Sequence, residues 1–522
     1  MSIDGTGLLQ MGAAVRRNAL SYPDRIAYVF GDVRLTWSEV DALTDRLARR
    51  FAADGVGPRD HIAILGHNSH FFPLVEFAVF KLGAAALILN PALKDGSLAG
   101  QINHADAKVV VTGDDLQPHI ETIRSGLGAE LYYTWDIADE TPETLNLARL
   151  LARDEPHVPF PIAAVRPEDI ATIIFSSGTT GVPKGAINTY WNCYSKAISM
   201  ALEEQCQRNE IGLLVTPICM GGTQLMSLWP YALLGMTAII APGFNPADVL
   251  ALIERERVNT MFCVPTMINA LSQHPDFHTR DLSCLRRIIS AGSTLPVEVF
   301  QRVNQRGIDL IEGCGTSETG GGLAMPSEEK PLNPKSVGRP MVGFEVRVVD
   351  DAGRDVPDNE PGEIVMRGDC VAVGYYKQPE IQADTYRNGW FHTGDIGRRD
   401  DAGYYYLMDR KKDLIITGGM NVYPAEVEQF VYEFDEVYEC AVVGLPHNHW
   451  GEAVTAFVVL REDVEVTGEQ IRERLHDKLS DYQVPKDVVI VEALPRTMFG
   501  KLHKIQLRND FGGHYTNGRA IE

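Results

Sequence analysis

The chain has 522 residues, of which 45% are hydrophobic and 23% are charged, a composition typical of folded globular proteins and not of disordered or fibrous ones. Because single domains usually hold about 100–200 residues, a chain of this length is predicted to form two or more domains. The formal net charge of −22 argues against nucleic acid or anionic lipid as a partner, since those surfaces attract clustered Lys and Arg.

The cysteines and the N-terminus bear on the compartment. The eight cysteines are scattered, with no C-x-x-C pair and no Cys/His array at the spacing of zinc ligands, so we expect reduced, mostly packed thiols. Residues 1–10 lack a basic stretch followed by an apolar one, and no run of about 18 uncharged apolar residues occurs. We therefore expect a cytoplasmic protein without a transmembrane segment.

Strand-like runs alternate with longer, helix-compatible segments between about residues 60 and 259. The runs are short, apolar and β-rich, as strands commonly are. This alternation predicts an α/β architecture with largely parallel sheets. The runs are 62–65, 85–89, 109–112, 170–175, 213–216 and 237–241.

The pattern changes after residue 337, where strand-like runs at 345–349, 363–367 and 404–408 are separated by Asp, Gly and Pro turns. These runs predict a β-rich subdomain. A dense charge cluster at 409–413, followed by glycines, is typical of a joint between domains. We therefore predict a large domain over residues 1–409 and a small one over 410–522.

Two helices are predicted in the small domain. Pro424 suits the first turn of one helix, and Thr467 with Gln470 forms a capping-box pattern at the start of another. Ile471, Leu475 and Leu479 follow at four-residue intervals, so they share one face. An α+β fold is expected for this part.

The sharpest local signal is the segment 175–185, F-S-S-G-T-T-G-V-P-K-G. Glycines let backbone N–H groups approach phosphate oxygens, hydroxyls add donors, and Lys184 adds a positive charge. The segment is not a Walker A loop, because Gly185 stands where that motif needs Ser or Thr. Either a phosphate-binding loop or a plain surface turn fits the segment alone. Its candidate phosphate-binding residues are Ser176, Ser177, Gly178, Thr179, Thr180, Gly181 and Lys184.

The whole string resembles the phosphate loop of the adenylate-forming superfamily, which includes acyl-CoA synthetases, luciferases and the adenylation domains of peptide synthetases. The resemblance continues in order along the chain, over residues 175 to 501. Its further motifs are G-C-G-T-S-E at 313–318, F-H-T-G-D at 391–395, Asp409 with Arg410, G-G-M-N-V-Y-P-A-E at 418–426, and P-R-T-M-F-G-K at 495–501.

This resemblance implies an ATP-dependent carboxylic acid:CoA ligase that uses ATP, Mg²⁺ and coenzyme A. The acid would first become an acyl-adenylate, with release of pyrophosphate, and the acyl group would then pass to coenzyme A. The implied fold is a large multi-sheet α/β domain with a β-rich subdomain, followed by a small mobile α+β domain.

Residue roles follow from the same resemblance. Lys501 is implied as the catalytic lysine that bridges the carboxylate and the α-phosphate, and Glu318 as the Mg²⁺ ligand. Asp395 and Arg410 would bind the ribose. Without the resemblance, these four would pass for surface or turn residues. Further implied nucleotide-binding residues are Gly292, Ser293, Gly313, Cys314, Gly315, Thr316 and Ser317.

The small domain would carry the groups for the second half-reaction. Lys412 occupies the position about which the small domain of the family rotates. Gly418 and Gly419 would let the thiol arm of coenzyme A pass close to the backbone, and Met420 is implied in the same site.

Departures from the family pattern concern the adenine and acyl sites. Cys314 stands where an aromatic ring is usual and Ser317 where Thr is usual, and Pro217–Gly222 lacks the His of many relatives. Cys314 is predicted to fill space, because no base is evident beside it. The implied acyl-pocket residues are Cys219, Met220, Gly221, Phe262, Val264, Gly292, Gly320, Gly321 and Gly322.

These acyl-pocket residues include no Lys, Arg or Asp, so nothing there would pair with a second charge on the substrate. The expected substrate is a small-molecule monocarboxylate, fatty or aromatic, and the triple glycine suggests a roomy pocket wall.

Three alternatives to the ligase stay open. The protein could be a stand-alone adenylating enzyme that loads a carrier protein, a nucleotide-binding protein without activity, or a luciferase-like oxygenase. Retention of Lys501 and Glu318 argues against the second. No carrier domain follows residue 501 in this sequence, which favours coenzyme A as the acceptor.

Overall fold

The computed structural model describes residues 10–136, 144–153, 156–176, 183–293, 295–461, 464–496 and 502–515. The chain forms two compact units. Unit 1 consists of Met1–Val346 and Met366–Phe391, and unit 2 of Arg347–Val365 and His392–Glu522. Among the described residues, no helix combines the length and the apolar character that crossing a membrane requires.

Strands and helices are numbered here in chain order. The strands are β1 Ile26–Phe30, β2 Val33–Thr36, β3 His61–Leu65, β4 Ala85–Leu89, β5 Ala107–Thr112, β6 Leu131–Thr134, β7 Leu145–Asn146, β8 Ile170–Ser176, β9 Lys184–Thr189, β10 Ile211–Leu214, β11 Thr237–Ile240, β12 Thr260–Cys263, β13 Arg287–Ser290, β14 Asp309–Gly315, β15 Gly322–Met325, β16 Arg339–Pro340, β17 Glu345–Val349, β18 Gly362–Arg367, β19 Gly374–Tyr375, β20 Tyr386–Arg387, β21 Trp390–Arg399, β22 Tyr405–Arg410, β23 Ile415–Thr417, β24 Met420–Val422, β25 Val437–His447, β26 Gly451–Leu460 and β27 Asp487–Ile490. The α-helices are α1 Met11–Ser21, α2 Trp37–Ala53, α3 Phe71–Leu82, α4 Asp95–His104, α5 Gln117–Ile123, α6 Leu147–Leu151, α7 Tyr190–Glu203, α8 Gly221–Thr223, α9 Trp229–Leu234, α10 Pro246–Glu256, α11 Pro265–Gln273, α12 Asp276–Thr279, α13 Val297–Asn304, α14 Pro379–Thr385, α15 Pro424–Val431, α16 Gly468–Leu475 and α17 Lys504–Asp510. Short 3₁₀ helices span Asp114–Leu116 and Arg124–Gly126, and a π-helix spans Gln224–Leu228.

Sheet 1 of unit 1 has eight strands in the order β19-β9-β8-β4-β3-β5-β6-β7. The pairings from β8 through β7 are parallel, whereas β8 and β9 form an antiparallel pair. Every residue of β3 and β4 is buried, which explains their unbroken apolar sequences, since such strands have no solvent face. The β8–β9 pair brackets the predicted phosphate loop.

Sheet 2 of unit 1 has nine strands in the order β16-β15-β14-β13-β12-β10-β11-β1-β2. The strands from β14 to β1 are parallel neighbours, and antiparallel strands close both edges. The predicted runs of the N-terminal half overlap β3, β4, β5, β8, β10 and β11. The prediction of an α/β fold with largely parallel sheets is therefore confirmed.

Unit 2 is built from two smaller sheets. In the first, β18 lies between β17 and β21, and β22 pairs with β21. In the second, the order is β24-β23-β26-β25, with β27 parallel to β26. Helices α15 and α16 bury Val427 and Ile471 in a core with Ile415 of β23. The β-rich part and the small α+β part are both as predicted.

The two helix starts predicted in unit 2 are confirmed. Pro424 begins α15, and the Thr467 hydroxyl accepts a hydrogen bond from the backbone N–H of Gln470 in a complete capping box. Leu479 lies beyond the end of α16 but packs in the same core. The domain boundary between residues 409 and 410 stays a prediction.

Candidate active site

The strands that flank the phosphate loop are held together at its base. Ser176 at the end of β8 pairs with Lys184 at the start of β9. The loop residues Ser177, Gly178, Thr179, Thr180 and Gly181 lie outside the described residues.

One side chain, that of Gln378, bonds the backbone where the loop rejoins β9. Its Nε2 donates to the Pro183 carbonyl at 3.0 Å, and its Oε1 accepts from the Gly185 N–H at 3.4 Å. The Lys184 Nζ lies 5.6 Å from the centre of the Tyr375 ring. Gln378 and Tyr375 are not predictable as site residues, because nothing in a sequence marks a contact across about 190 residues.

Glu318 lies in the connection between β14 and β15 and is only 7% exposed. The Tyr375 hydroxyl donates to its Oε1 at 2.9 Å. Its backbone carbonyl accepts from the Ala372 N–H at 2.9 Å and from the Lys196 Nζ at 3.1 Å. The residue is therefore fixed at both its backbone and its side chain.

The surroundings of Glu318 fit the Mg²⁺ ion that the resemblance implies. Mg²⁺ prefers hard oxygen ligands, often one or two carboxylates with waters and phosphates making up the rest. Besides the Glu318 carboxylate, the Thr316 Oγ1 is buried and has no hydrogen-bond partner among the described residues. A metal-bound water or a phosphate oxygen would satisfy that hydroxyl.

Two tyrosines beside Glu318 remain protonated. Burial raises the pKa of Tyr375 and of Tyr386 far above the ordinary value, and the charge of Glu318 raises both further. Burial also lowers the pKa of the Lys196 ammonium to about 8, against the opposing effects of Cys193, Cys370 and Glu318. Tyr375 is thus a permanent hydrogen-bond donor to the carboxylate.

The predicted nucleotide and acyl residues meet at one edge of sheet 2. Strands β10, β12, β13 and β14 are consecutive parallel neighbours, so the segments that follow them share the carboxyl edge, where α/β proteins commonly bind ligands. These segments contain Cys219, Met220, Gly221, Val264, Gly292, Ser293, Thr316 and Ser317, while Gly313, Cys314 and Gly315 end β14 itself. The structure therefore brings these predicted residues to one place.

Apolar side chains line this edge. Phe262 packs in a cluster with Met200, Met226 and Met341, and Val264 lies against it. Cys219 and Met220 belong to the neighbouring cluster that contains Leu225. A small cavity of about 10 Å³ is lined by Gly320, Gly321, Met200, Leu225 and Met341.

The expectation of a roomy wall at the triple glycine is wrong. A Cβ at residue 320 would overlap Leu225, one at 321 would lie 3.0 Å from the Met341 Sδ, and one at 322 would lie 2.5 Å from the Met366 Sδ. The glycines are needed because their neighbours pack against the backbone. Lys196 also lines the cavity, although the predicted pocket residues include no lysine.

In unit 2, Asp395 and Arg410 are adjacent, so both could bind the same ribose, as the resemblance implies. They are paired residues of β21 and β22, and the Arg410 Nε lies 2.7 Å from the Asp395 Oδ1. Asp395 is 6% exposed, and Arg410 also donates to the Thr393 carbonyl at 3.3 Å.

The implied hinge and coenzyme A residues lie at the surface of unit 2. Lys412 is exposed, and its carbonyl accepts from Arg508 at 3.3 Å. Gly418 and Gly419 have φ values of 56° and 82° and form the two-residue turn between β23 and β24. Such a turn needs two left-handed residues, which glycine supplies. Met420 is exposed beside it, and Lys501 lies outside the described residues.

The eight cysteines are all free thiols. Burial raises the pKa of Cys219 and of Cys263 to about 12, so neither is a nucleophilic thiolate at neutral pH. Cys314 is partly exposed at the end of β14. Cys440 is buried in the core of unit 2.

A separate acidic cluster in unit 1 is already neutralised. Asp41 and Asp45 lie close enough to His157 to suggest a metal site, but the buried Lys81 Nζ bonds both carboxylates, at 2.5 and 2.6 Å. Arg16 bonds the same two carboxylates, at 2.7 and 2.6 Å. Two cations thus balance two carboxylates, and the cluster joins α1, α2 and α3.

Comparison with known proteins identifies the family of the chain. A family model described as AMP-binding enzyme matches residues 15–376, and a model described as AMP-binding enzyme C-terminal domain matches residues 426–501. A feruloyl-CoA synthase of Amycolatopsis sp is 34% identical over 503 residues, covering 95% of this chain and 98% of the relative. The long-chain-fatty-acid–CoA ligase FadD13 of Mycobacterium tuberculosis is 35% identical over 505 residues, covering 96% and 98%.

Solved structures show the same similarity. ATP-bound MatB from Rhodopseudomonas palustris superimposes with a TM-score of 0.89 at 28% identity, over 97% of this chain and 99% of that chain. A Mycobacterium tuberculosis fatty acyl CoA synthetase gives 0.77 at 32% identity, also over 97% and 99%. The chain belongs to the family of AMP-binding enzymes, as an ATP-dependent acid:CoA ligase.

Proposed function

We propose that the protein activates a mainly apolar monocarboxylic acid, fatty or aromatic, and transfers its acyl group to coenzyme A. The supporting observation is the carboxyl edge of sheet 2, where Phe262, Val264 and three methionines form an apolar cluster. One of these methionines, Met226, lies 3.5 Å from the Cβ position of Gly313 in β14. The charged side chain at this edge, Lys196, already bonds Asn188 and Glu318, so a second charge on the substrate would be buried there at a large cost in free energy.

In the first half-reaction, a carboxylate oxygen forms a bond to the α-phosphorus of ATP and pyrophosphate leaves. Negative charge on the phosphoryl oxygens must be stabilised, and we assign that role to Lys184 and Lys501. Glu318 would hold Mg²⁺, which would supply further positive charge. Tyr375 holds the Glu318 carboxylate, and Asp395 with Arg410 binds the ribose hydroxyls.

In the second half-reaction, the thiol sulfur of coenzyme A attacks the acyl carbonyl, a carbon–sulfur bond forms, and AMP leaves. Gly419 has open space beside its backbone for the thiol arm, whereas the Trp450 ring lies 3.0 Å from the Cβ position of Gly418, and Met420 follows the turn. We propose that residues 410–522 move as a lid between the half-reactions, about Lys412.

A cytoplasmic location without a nucleic-acid partner completes the proposal. Eight free cysteines support the location, because disulfides are rare in reducing compartments. The net charge of −22 disfavours nucleic acid. Cell fractionation with an antibody against the native chain tests the location.

The substrate assignment is tested with a panel of carboxylic acids, scored by pyrophosphate release with and without coenzyme A. Fatty and arylalkenoic or aromatic monocarboxylates should release pyrophosphate, and with coenzyme A they should give acyl-CoA and AMP in equal amounts. Preference for dicarboxylates or amino acids would refute the substrate class. Adenylation without consumption of coenzyme A would favour the carrier-loading alternative.

A further inference from the structure

Lys196 is a buried lysine that the reaction as described does not use. It lies in α7 and is 2% exposed. Its Nζ donates to the Asn188 Oδ1 at 2.6 Å and to the Glu318 carbonyl at 3.1 Å. Fully buried lysines are rare unless paired with a carboxylate, and both of these acceptors are neutral oxygens.

The bonds of Lys196 connect two parts of the site. Asn188 lies in β9, and its Nδ2 donates to the Thr172 Oγ1 of β8 at 3.2 Å. These strands flank the phosphate loop, and Thr172 and Asn188 are cross-strand partners. A continuous chain of buried hydrogen bonds therefore runs from the phosphate-loop strands through the ammonium to Glu318.

The positive charge of Lys196 also affects the binding of the Mg²⁺–ATP complex. An ammonium whose hydrogen-bond acceptors are neutral oxygens is costly in the protein interior, whereas the complex of ATP with one Mg²⁺ is an anion. A buried cation next to Glu318 offsets the charge of that complex when it binds. If Lys196 only filled space in the core, its charge would not favour binding of the ATP complex.

We propose that Lys196 is a positioning residue for the metal–triphosphate complex: it fixes Glu318 relative to β8 and β9 and adds a positive charge next to Glu318. This inference rests on the proposed adenylation reaction. It adds Lys196 to the residues of the ATP site, although Lys196 lies 122 positions from Glu318 in the sequence.

The stability of Lys196→Met separates positioning from packing. Methionine has a similar volume, and replacing a buried charge with an apolar side chain is often neutral or stabilising. We expect a Tm equal to or above that of the wild type. Lys81→Met is the matched control, since Lys81 is equally buried but bonds two carboxylates, and the substitution would leave Arg16 to balance both. Its Tm should fall clearly.

Binding provides the second readout, measured by calorimetry on the full-length protein with Mg²⁺ and α,β-methylene-ATP. The dissociation constant should rise about tenfold in Lys196→Met, the loss expected for one hydrogen bond from a charged donor. It should be unchanged in Lys81→Met, measured below the Tm of that variant. Binding of AMP without Mg²⁺ should be unchanged in both.

A double-mutant cycle shows whether Lys196 acts through Glu318. In a Glu318→Gln background, Lys196→Met should weaken binding less than twofold, because the partner through which it acts is already impaired. Additive losses, unchanged binding in Lys196→Met, or a fall in Tm like that of Lys81→Met would each refute the proposal. Failure of the wild type to bind the ATP analogue would instead refute the proposed function.

Discussion

The partners of a buried charged side chain decide its ionisation and its effect on stability. Lys81 is charged because two carboxylates surround it. Glu76, in α3, is fully buried, with the Trp229 indole N–H donating to its Oε1 at 3.0 Å. Burial raises the pKa of Glu76 from 4.5 to about 8, although this hydrogen bond acts in the opposite direction. Glu76 is therefore mostly protonated at neutral pH.

This pKa predicts that Glu76 lowers stability as the pH rises. Between pH 4.5 and pH 8 the folded chain keeps a proton that the unfolded chain releases, so the free energy of unfolding falls with increasing pH. Glu76→Gln, which cannot titrate, should be more stable than the wild type at pH 8, and its Tm should change less between pH 6 and pH 9. Differential scanning calorimetry at several pH values measures both.

The Tm of Glu76→Gln should still fall somewhat as the pH rises, because burial raises the pKa of Glu204 to about 8 as well. A variant that is less stable than the wild type at pH 8, or that keeps the whole wild-type slope, would show that Glu76 is ionised in the folded protein.

At the scale of the element, the β8–β9 hairpin depends on a residue from the segment that precedes α14. Gln378 holds both Pro183 and Gly185, so it fixes the point at which the phosphate loop rejoins the sheet. We expect Gln378→Ala to raise the KM for ATP about three- to tenfold, the cost of one or two neutral hydrogen bonds, with a smaller change in kcat and in the KM for the acid.

Pyrophosphate-release kinetics measure these constants. Gln273→Ala is a suitable control, because the Gln273 side chain bonds only Asn269 on its own helix among the described contacts. Equal losses in both variants, or a loss confined to kcat, would contradict a role of Gln378 at the loop.

The elements differ in how well their sequences reveal them. Strands β3 and β4 were predictable because burial on both faces leaves an apolar run, and α16 because its capping box is local. The contacts of Glu318 were not predictable. Tyr375 lies 57 positions away and Lys196 lies 122 positions away, and only the order of the strands in two sheets brings them together. The tight packing at Gly320 was hidden for the same reason.

At the scale of the whole molecule, the two units have separate hydrophobic cores. The predicted site residues are divided between them, with Glu318 in unit 1 and Asp395, Arg410 and Lys412 in unit 2. If residues 410–522 are a mobile lid, the two half-reactions should respond differently to substitutions in it.

We predict that two lysine variants lose different half-reactions. Lys501→Ala should lower adenylate formation about 10²- to 10³-fold, the scale of one lost electrostatic contact in a transition state, but should still consume ready-made acyl-adenylate with coenzyme A. Lys412→Pro restricts the backbone at residues 411 and 412, so adenylation should survive while transfer to coenzyme A collapses.

Pyrophosphate release and adenylate consumption are measured separately for each variant. Lys412→Ala, which removes the side chain but keeps backbone freedom, should behave nearly as the wild type. Matching losses in both steps for both variants would leave Lys412 as an ordinary surface lysine and would rule out the hinge.

The native cysteines can serve as probes of local unfolding in each unit, because of where they lie in the chain. Unit 2 holds a single cysteine, Cys440, and the other seven belong to unit 1. Burial and the charge of Glu428 raise the pKa of the Cys440 thiol well above its ordinary value, and only an accessible thiolate is alkylated rapidly. Alkylation of Cys440 therefore requires local unfolding of unit 2, which exposes the thiol. Pulsed labelling followed by mass spectrometry would time the opening of each unit separately, without any engineered probe.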